Sequence, residues 1–361
     1  MKTNIERPNI FRISTKELSQ DAFIVWMMQW ANPVCKELDP LLHKCGNDFL
    51  SLLLNTKHKE KQISKVDAGR QWNNIDVWAE IFFSDGTKTL LILEDKTFSG
   101  EHSDQLNRYK KQAQDYCDKE GFDLCCVYFK IGSEPLRTLK AVSDKGFYVV
   151  GRNEIRACLA SFVDTPHSIL RDFIDYIDGI DAEHNVFENL APKFWQGNAW
   201  VGFYQFVESR MEVNMWHRVN NPSGGFWNLC LTWDYWSGVP IYMQIEERKL
   251  CFKIAPGKVE TGFDMSDQEM NRVQDLAYSH LMKYALGQGM EKVRRPYPFV
   301  HRGNYRTFAV IDFEDWCGPT EELLDKDVVL SNLSDIISFY HLFMKHLQTL
   351  NFTPKPSQIV E

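Results

Sequence analysis

A carboxylate and an amine follow a strongly apolar run in the first third of the sequence. The run Thr89–Leu93 leads directly into Glu94-Asp95-Lys96. Alternate residues of a β-strand point to the same face, roughly 6.5 to 7 Å apart, so Glu94 and Lys96 share one face while Asp95 points to the other. The spacing therefore aims a carboxylate and an amine into one space at the end of a strand buried on both faces.

A second acid, Asp76, lies near the start of the preceding strand, whose apolar residues alternate from Asn74 to Phe83. Asp76 can join Glu94 and Lys96 only if the hairpin register places it opposite residue 94 or 96. A two-residue turn at Asp85-Gly86 would place it opposite residue 95, on the wrong face. We therefore predict an odd-numbered loop or a bulge, despite the Asp-Gly signal.

Two converging carboxylates would supply the hard oxygen ligands that Mg²⁺ or Mn²⁺ prefers, with waters and a substrate phosphate in the remaining positions. An acid-x-Lys triplet is weak evidence by itself, because Glu247-Arg248-Lys249 also follows a strand-like run. That triplet continues directly into Leu250, which predicts a polar hairpin turn. The alternative for the first triplet is a surface cluster of salt bridges.

The segment NNIDVWAEIFF, followed after a turn by TKTLLILEDKTFSGEHSDQLNRY, resembles the PD-(D/E)XK nuclease superfamily. Within it, the resemblance is to the RecB-like branch, which has a Gln-x-x-x-Tyr motif on the helix after the Glu-x-Lys strand. That motif is Gln105 and Tyr109, which share one face of a helix predicted from Asp104 to Lys119. The resemblance covers about residues 14 to 130, and Ile75 replaces the proline of the family's name.

The resemblance implies a restriction-endonuclease-like fold and hydrolysis of phosphodiester bonds by in-line attack. It implies that Asp76 and Glu94 hold Mg²⁺ or Mn²⁺ with help from the Asp95 carbonyl. It also implies that Lys96 positions or activates the attacking water, a reaction that the metal assists by neutralising phosphate charge.

The resemblance also implies roles for side chains around Asp76, Glu94 and Lys96. Gln105 and Tyr109 would orient the substrate or the groups behind the ligands. An acidic residue on the first helix often completes such a site, and the two candidates are Glu17 and Asp21. Glu80 shares a strand face with Asp76 and is interpreted as a supporting acid rather than a ligand.

The helices and strands that must position these residues predict that the first 180 residues form an α/β domain, in which helices flank a mixed sheet. Helical periodicity or capping signals predict helices, and alternating or continuous apolar runs predict strands. The predicted helices are Glu17–Trp30, Pro40–Leu54, Asp104–Lys119 and Asn153–Ile177, and the predicted strands are Asn74–Phe83, Thr89–Lys96, Phe122–Phe129 and Gly146–Val150.

The second half of the sequence is predicted to form a separate α+β domain, residues 190–361, which has an antiparallel sheet and a role in recognition or regulation. The acidic, glycine-containing stretch Asp178–Asn189 is the predicted linker between it and the nuclease domain, residues 1–180. The predicted elements are a helix near 190–212, strands near 226–236, 239–254 and Thr307–Phe313, and helices Ser266–Leu286 and Leu330–Leu350.

The net charge of −8 argues against indiscriminate binding to nucleic acid, so local basic patches must steer a polyanion. One patch, which contains Lys57, Lys59, Lys61 and Arg70, precedes the first predicted strand. The other, which contains Arg294, Arg295 and Arg302, is interleaved with aromatic residues and contains no acid. The residues predicted to contact nucleic acid are Lys57, Lys59, Lys61, Arg70, Arg108, Arg294, Arg295 and Arg302.

The chain has no apolar run near the roughly 18 to 20 residues that a membrane span needs, and its amino terminus does not resemble a secretory signal. Nine cysteines without a CxxC pair suit reduced thiols rather than a disulfide framework. These features predict a cytoplasmic protein that does not bind membranes.

We therefore expect a Mg²⁺-dependent deoxyribonuclease, with a duty in genome defence suggested by analogy alone. Two other classes stay open at this point. One is a catalytically inactive nucleic-acid-binding or scaffold protein on a nuclease fold, and the other is an effector nuclease gated by a small ligand at the C-terminal domain. The choice between DNA and RNA, self-association and a protein partner for the second half also stay open.

Overall fold

The computed structural model describes residues 8–14, 17–55, 61–97, 100, 104–221, 224–255 and 265–355. The chain divides into two compact units, Met1–Ala182 and Glu183–Glu361. Each unit contains its own five-stranded sheet. In the described ranges, no helix has both the length and the apolar character needed to cross a membrane.

The first unit is built on a mixed sheet with the strand order β1-β2-β3-β4-β5. Its first three strands are antiparallel to one another, and the last three are parallel. The strands are β1 (Ile63–Trp72), β2 (Ile75–Phe83), β3 (Lys88–Lys96), β4 (Asp123–Lys130) and β5 (Tyr148–Gly151). The helices are α1 (Ile10–Ile13), α2 (Glu17–Gln29), α3 (Cys35–Leu38), α4 (Pro40–Leu54), α5 (Gln105–Glu120), α6 (Leu136–Asp144), α7 (Arg152–Leu159) and α8 (Ser168–Asn185).

The central strand β3 is buried on both faces. Leu91 and Leu93 pack into a core that includes α2, α4 and α8. Leu90 and Ile92 point to the other face, into a core that includes Tyr109 and other residues of α5. The continuous apolar run of the sequence is explained by this double burial, and the predicted mixed sheet flanked by helices is confirmed.

The β2–β3 hairpin has the odd-numbered loop that the parity argument required. Phe82 pairs with Lys88 and Val77 pairs with Leu93. The N–H of Phe83 donates to the Thr87 carbonyl at 3.0 Å, which leaves a loop of residues 84–86 with Gly86 at a φ of 82°. A G1-type position of this kind suits glycine because of its positive φ. The register prediction is confirmed.

Helices α2 and α4 approach each other closely at Gly46. A Cβ atom on Gly46 would lie 2.8 Å from the Met27 carbonyl oxygen and 2.8 Å from the Ala31 nitrogen. Real Cβ atoms are not found this close to backbone atoms. Gly46 therefore sets the separation of the two helices that cover one face of β3.

The second unit has an antiparallel sheet with the strand order β10-β9-β8-β7-β6, which confirms the predicted antiparallel sheet. Its large core lies on one face of the sheet and includes residues of the three long helices. The strands are β6 (Met215–Val219), β7 (Phe226–Trp236), β8 (Val239–Glu246), β9 (Lys249–Ile254) and β10 (Arg306–Asp312), and the helices are α9 (Gly197–Glu208), α10 (Asp267–Gly287), α11 (Phe313–Trp316) and α12 (Lys326–Gln348).

The predicted linker Asp178–Asn189 is wrong. Helix α8 continues through Gly179 to Asn185, and a 3₁₀ helix, Val186–Glu188, follows it. One internal glycine costs a helix only about 1 kcal/mol. The burial of Ile177 and Ile180 outweighs that cost.

The hairpin turn predicted at residues 247–248 of the second unit is confirmed, because Glu246 pairs with Lys249.

The edge strand β1, strand β6 and the short helices α1, α3, α6 and α11 were not predicted, and the predicted helix Asn153–Ile177 is divided into α7 and α8. In β1 only Val66 and Ala68 are fully buried, so the sequence there has little apolar periodicity. Strand β1 is nevertheless fixed by backbone pairing with β2 along most of its length.

Candidate active site

The three residues of the motif meet at the end of the β2–β3 hairpin. The observed register, continued by one pair, places Asp76 opposite Glu94, and Lys96 points to the same face two residues further along β3. The Lys96 ammonium lies 2.5 Å from Glu94 Oε1. Two carboxylates and one amine thus share a single site on the face of the sheet that α5 covers.

Glu94 is the most deeply buried of the three, with 1% of its surface exposed. Burial raises the pKa of its carboxyl to about 8, and the neighbouring Asp76 adds to the shift, while Lys96 opposes it. Both carboxylate oxygens are buried; Oε1 is in close contact with the Lys96 ammonium, and Oε2 has no hydrogen-bond donor among the described residues. Such a carboxylate is poorly satisfied by the protein alone.

Asp76 is partly buried and is held by the backbone of the neighbouring strand. The N–H of Asp95 donates to Asp76 Oδ2 at 3.1 Å. Burial raises the pKa of Asp76, and the Asp95 hydrogen bond and the Lys96 charge oppose that shift. The strand that carries Glu94 thus also orients the second carboxylate.

Burial by itself would lower the pKa of Lys96, but its close contact with Glu94 and the charges of Asp76 and Glu17 outweigh burial, so the pKa of Lys96 is raised. The amine is therefore a cation at neutral pH. A buried cation beside two acids can hold an anionic group in place more readily than it can accept a proton.

The side chain of Asp95 points to the opposite face of β3, where α2 lies. It is fully buried, and the side-chain amide of Gln20 donates to it. Burial raises the pKa of Asp95 well above its usual range, and the nearby charge of Asp21 adds to this. Asp95 can offer the site its backbone carbonyl, while its carboxyl ties the strand to α2.

The structure brings both candidate acids of the first helix to the end of β3. Glu17 Oε1 accepts a hydrogen bond from the N–H of Thr97 at 3.0 Å. Asp21 lies beside Asp95, and burial together with the charge of Asp76 raises the pKa of Asp21 to about 6. Glu17 is thus bound to Thr97, the residue directly after the motif, and Asp21 lies near Asp76.

Gln105 and Tyr109 lie on α5, on the same face of the sheet as Glu94. The side-chain amide of Gln105 donates to the Tyr109 hydroxyl at 2.9 Å. The ring of Tyr109 is 5% exposed and packs in the core that includes Ile92. The supporting acid Glu80 accepts a hydrogen bond from Tyr116 on the same helix at 2.6 Å.

The donor set fits a hard divalent cation. Asp76 and Glu94 provide carboxylate oxygens, and the buried Oε2 of Glu94 has no donor among the residues that the structure describes. Within the described residues, no three side chains of the His, Cys, Asp and Glu types converge closely enough to hold a metal ion by themselves. Mg²⁺ and Mn²⁺ tolerate such incomplete sets, because backbone carbonyls, waters and substrate oxygens fill the remaining positions.

The predicted nucleic-acid contacts are distributed over different places. Lys57 and Lys59 lie outside the described residues. Lys61 is 3.1 Å from Asp85 at the loop end of the hairpin, the end opposite Asp76. Arg70 reaches the Leu18 carbonyl at 2.7 Å, and Arg108 is exposed over the Tyr109 ring, so these two flank the site. Arg294, Arg295 and Arg302 belong to the second unit.

Sequence reasoning missed a second buried lysine beside Lys96. In the parallel pairing of β3 with β4, Lys130 is the direct partner of Lys96. Lys130 is 3.4 Å from Glu134, which also accepts a hydrogen bond from Tyr128 at 3.1 Å. Burial lowers the pKa of Lys130, although Glu134 opposes the shift. Its position directly after a buried strand is the same signal that drew attention to Lys96.

Comparisons with known proteins find a family match for the first part of the chain. Residues 8–155 match the family described as the PD-(D/E)XK nuclease superfamily, which confirms the resemblance over that range; the RecB-like branch stays a prediction. No curated protein matches the chain. One solved structure, the DNA modification-dependent restriction endonuclease AspBHI, is 14% identical with a TM-score of 0.21, and the alignment covers 50% of this chain and 44% of that one. A TM-score this low supports no conclusion about fold or function.

Proposed function

We propose that this chain, a member of the PD-(D/E)XK nuclease superfamily over residues 8–155, is a divalent-metal-dependent nuclease that cleaves DNA. The observation that carries the proposal is the register of the β2–β3 hairpin, which sets Asp76 opposite Glu94 with Lys96 on the same face. The superfamily supports phosphodiester hydrolysis; the metal requirement and the DNA substrate are our proposal.

Asp76, Glu94 and the Asp95 carbonyl would hold Mg²⁺ or Mn²⁺. A divalent cation at this position would neutralise phosphate charge and lower the pKa of a bound water. The protein contributes a fixed geometry, since Asp76 is oriented by the Asp95 N–H and Glu94 lies on a strand buried on both faces. Preorganised ligands of this kind do not have to rearrange during the reaction.

Lys96 would hold the attacking water and the phosphate through its charge. It is buried among carboxylates, so it stays protonated at neutral pH, and its ammonium can donate to an oxygen without leaving the site. Tyr109 accepts a hydrogen bond from Gln105, and its own O–H, which donates to no described residue, would donate to the substrate. Glu17 and Asp21 would stabilise the surrounding loop and the second carboxylate.

DNA is the substrate that the family resemblance favours, and a role in genome defence is an analogy with other nucleases of this kind. Arg70 and Arg108 flank the site and would contact phosphates on either side of the scissile bond. With a net charge of −8, the chain needs such local cations to attract a polyanion.

The test is cleavage of supercoiled plasmid and of labelled RNA with Mg²⁺, with Mn²⁺ and with a chelator. We expect metal-dependent cleavage of DNA, and a loss of at least about a hundredfold in rate for Lys96→Ala without loss of fold or DNA affinity. Lys140→Ala, which removes an exposed lysine on α6, is the matched control and should cleave normally.

Two outcomes would contradict the proposal. Full activity of Lys96→Ala would remove this lysine from the mechanism. A folded wild-type protein that cleaves neither nucleic acid with any metal would favour the inactive binding or scaffold protein. If cleavage appears only after a small nucleotide is added, the effector class is the correct one.

A further inference from the structure

A cavity of about 440 Å³ opens in the second unit, far along the sequence from the nuclease motif. One wall is formed by the β8–β9 turn and by β10, and the other by residues 294–306, which we call the arginine loop. The loop is tied to the sheet by an isolated bridge in which Arg294 and Val310 exchange two backbone hydrogen bonds of 2.9 Å. The volume lies within the range of pockets that bind small ligands.

The lining of the cavity carries more cations than acids. Its two acids are each occupied, because Glu246 is paired with Lys253 and Asp312 with Arg294. Among the residues that the structure describes, Arg295 and Arg302 form no ion pair, and Lys249 is the cross-strand neighbour of Glu246 and Asp312, which are already paired with other cations. Clustered positive charge without a neutralising acid is unfavourable unless an anion is bound.

Two tyrosines on the same loop line the cavity and are strongly exposed. Tyr297 is 97% exposed and Tyr305 is 62% exposed. An exposed aromatic ring gains free energy when its apolar faces are buried, so these two rings offer stacking surfaces to a ligand in the cavity. The guanidinium of Arg295 already lies 4.3 Å from the centre of the Phe299 ring, so the loop also contains an internal cation–aromatic contact.

Helix α10 holds the arginine loop in a fixed position. The buried side chain of Gln274 donates to the carbonyls of Val300 and Thr307 at 3.1 and 3.0 Å. Arg306, at the end of the loop, is 2% exposed and donates to Asn271 at 2.5 Å and to Asp267 at 2.6 Å. A loop anchored at this many points presents its free cations and aromatic rings with little entropy left to lose on binding.

We propose that this cavity binds a nucleoside phosphate, either free or as one unit of a nucleic acid strand. Arg302 and Lys249 contact the phosphate, and Tyr297 and Tyr305 stack on the base. Arginine and aromatic side chains together match these two chemical features, a bidentate phosphate contact and a flat π surface. The assignment goes beyond the proposed nuclease activity and does not depend on it, because none of these residues belongs to the metal site.

The experiment measures binding to the full-length protein with a chelator present, so that the metal-dependent site does not contribute. The probes are inorganic phosphate, the four deoxynucleoside monophosphates by calorimetry, and a labelled single-stranded oligonucleotide by fluorescence anisotropy. Arg302→Ala and Tyr297→Ala are the test variants, since both side chains are exposed and neither holds the fold together. Arg210→Ala removes an exposed arginine of the same unit outside the cavity and is the control.

We expect at least one nucleotide or the oligonucleotide to bind more tightly than inorganic phosphate, and each test variant to weaken that binding about tenfold or more. A preference for free nucleotides identifies a small-ligand site, and a preference for the oligonucleotide identifies a strand-binding site. Unchanged affinity in both test variants would overturn the proposal. So would equal affinity for inorganic phosphate, because the base would then contribute nothing.

Discussion

At the scale of single residues, the carboxyl of Glu94 has the strongest need for an external partner. It is buried, its pKa is raised to about 8, and only one of its two oxygens meets a donor among the described residues, the Lys96 ammonium. In the absence of a metal, a proton is the simplest way to relieve this burial cost. A divalent cation would replace that proton, so metal binding should stabilise the folded chain as well as supply chemistry.

Glu94→Gln tests this coupling directly. Glutamine keeps the shape of the side chain but cannot provide a charged ligand. We expect Mn²⁺ to raise the melting temperature of the wild-type protein, because a ligand that binds only the folded state stabilises it by about 2.7 kcal/mol at a hundredfold excess over its Kd. Differential scanning calorimetry with and without Mn²⁺ should show no such rise for Glu94→Gln.

The control is Glu120→Gln, which changes an exposed acid at the end of α5. Its melting temperature should respond to Mn²⁺ like that of the wild type. An undiminished metal response in Glu94→Gln would show that the cation binds elsewhere.

Tyr109→Phe separates a role in substrate positioning from simple packing. Phenylalanine keeps the buried ring in its core but removes the hydroxyl that accepts from Gln105. We expect the cleavage rate to fall about tenfold, the value of one lost hydrogen bond to the transition state, with little change in melting temperature. Wild-type cleavage by this variant would assign Tyr109 to packing alone.

The spacing of residues predicted part of the site and missed another part. Parity along two consecutive strands predicted that Asp76 lies opposite residue 94 or 96, because the pairing of the two strands depends on one short loop. The contacts of Asp95 with Gln20 and of Lys96 with Lys130 join segments that lie far apart in the sequence. Such contacts depend on how α2 and β4 dock on β3, which periodicity alone cannot specify.

At the scale of elements, α2 and α4 can approach each other closely because Gly46 has no side chain. Alanine is a better helix former than glycine by about 1 kcal/mol, so propensity predicts that Gly46→Ala stabilises α4. The added Cβ would meet backbone atoms of residues 27 and 31. We expect net destabilisation of about 1 to 3 kcal/mol, the usual cost of overpacking, as measured by urea unfolding.

Gly287→Ala is the matched control, because Gly287 is the last residue of α10 and a Cβ there would meet nothing within 4 Å. This variant should be as stable as the wild type or slightly more stable. If Gly46→Ala behaves in the same way, the two helices can separate at no cost and Gly46 does not set their distance.

The helices and strands whose apolar residues recur periodically were predicted from the sequence. Strands that are held mainly by backbone pairing with a neighbouring strand were not. Helices α2, α4 and α5 and strands β2 and β3 lie close to their predicted bounds. Strand β1 has a mostly polar sequence and exists because β2 offers it a row of backbone hydrogen bonds. The acidic composition around residue 180 suggested a linker, yet its apolar residues recur at helical spacing and are buried.

At the scale of the whole molecule, the net charge of −8 opposes the binding of any polyanion. Affinity for DNA must then come from a few local cations, and its dependence on salt should be shallow. We expect the logarithm of duplex affinity, measured by anisotropy with a chelator present, to fall with the logarithm of salt at a slope that corresponds to only a few phosphate contacts.

Arg108→Ala should reduce the size of that slope by about one, since it removes one phosphate contact beside the site. Lys140→Ala removes the same charge from α6 and should leave the slope unchanged. A steep slope in the wild type, or an equal effect of both variants, would show that binding is diffuse rather than local.

The sequence predicted the first half of the molecule in more detail than the second half. The first unit contains a motif whose proposed chemistry fixes the spacing of several residues, and the family match covers residues 8–155. The second half has many buried aromatic residues but no motif, so its antiparallel sheet could be predicted while the cavity beside it could not. A cavity depends on where a loop folds back on a sheet, and here that position is set by contacts with α10.

The placement of Glu94 on the middle strand of the first sheet has a consequence for motion. Amide protons of such a strand exchange with solvent mainly when the surrounding domain unfolds as a unit, not through local fraying. The proposed ligands would thus be displaced only by events as rare as global opening. We therefore expect the amide protons of β3 to be among the most slowly exchanging of the first unit.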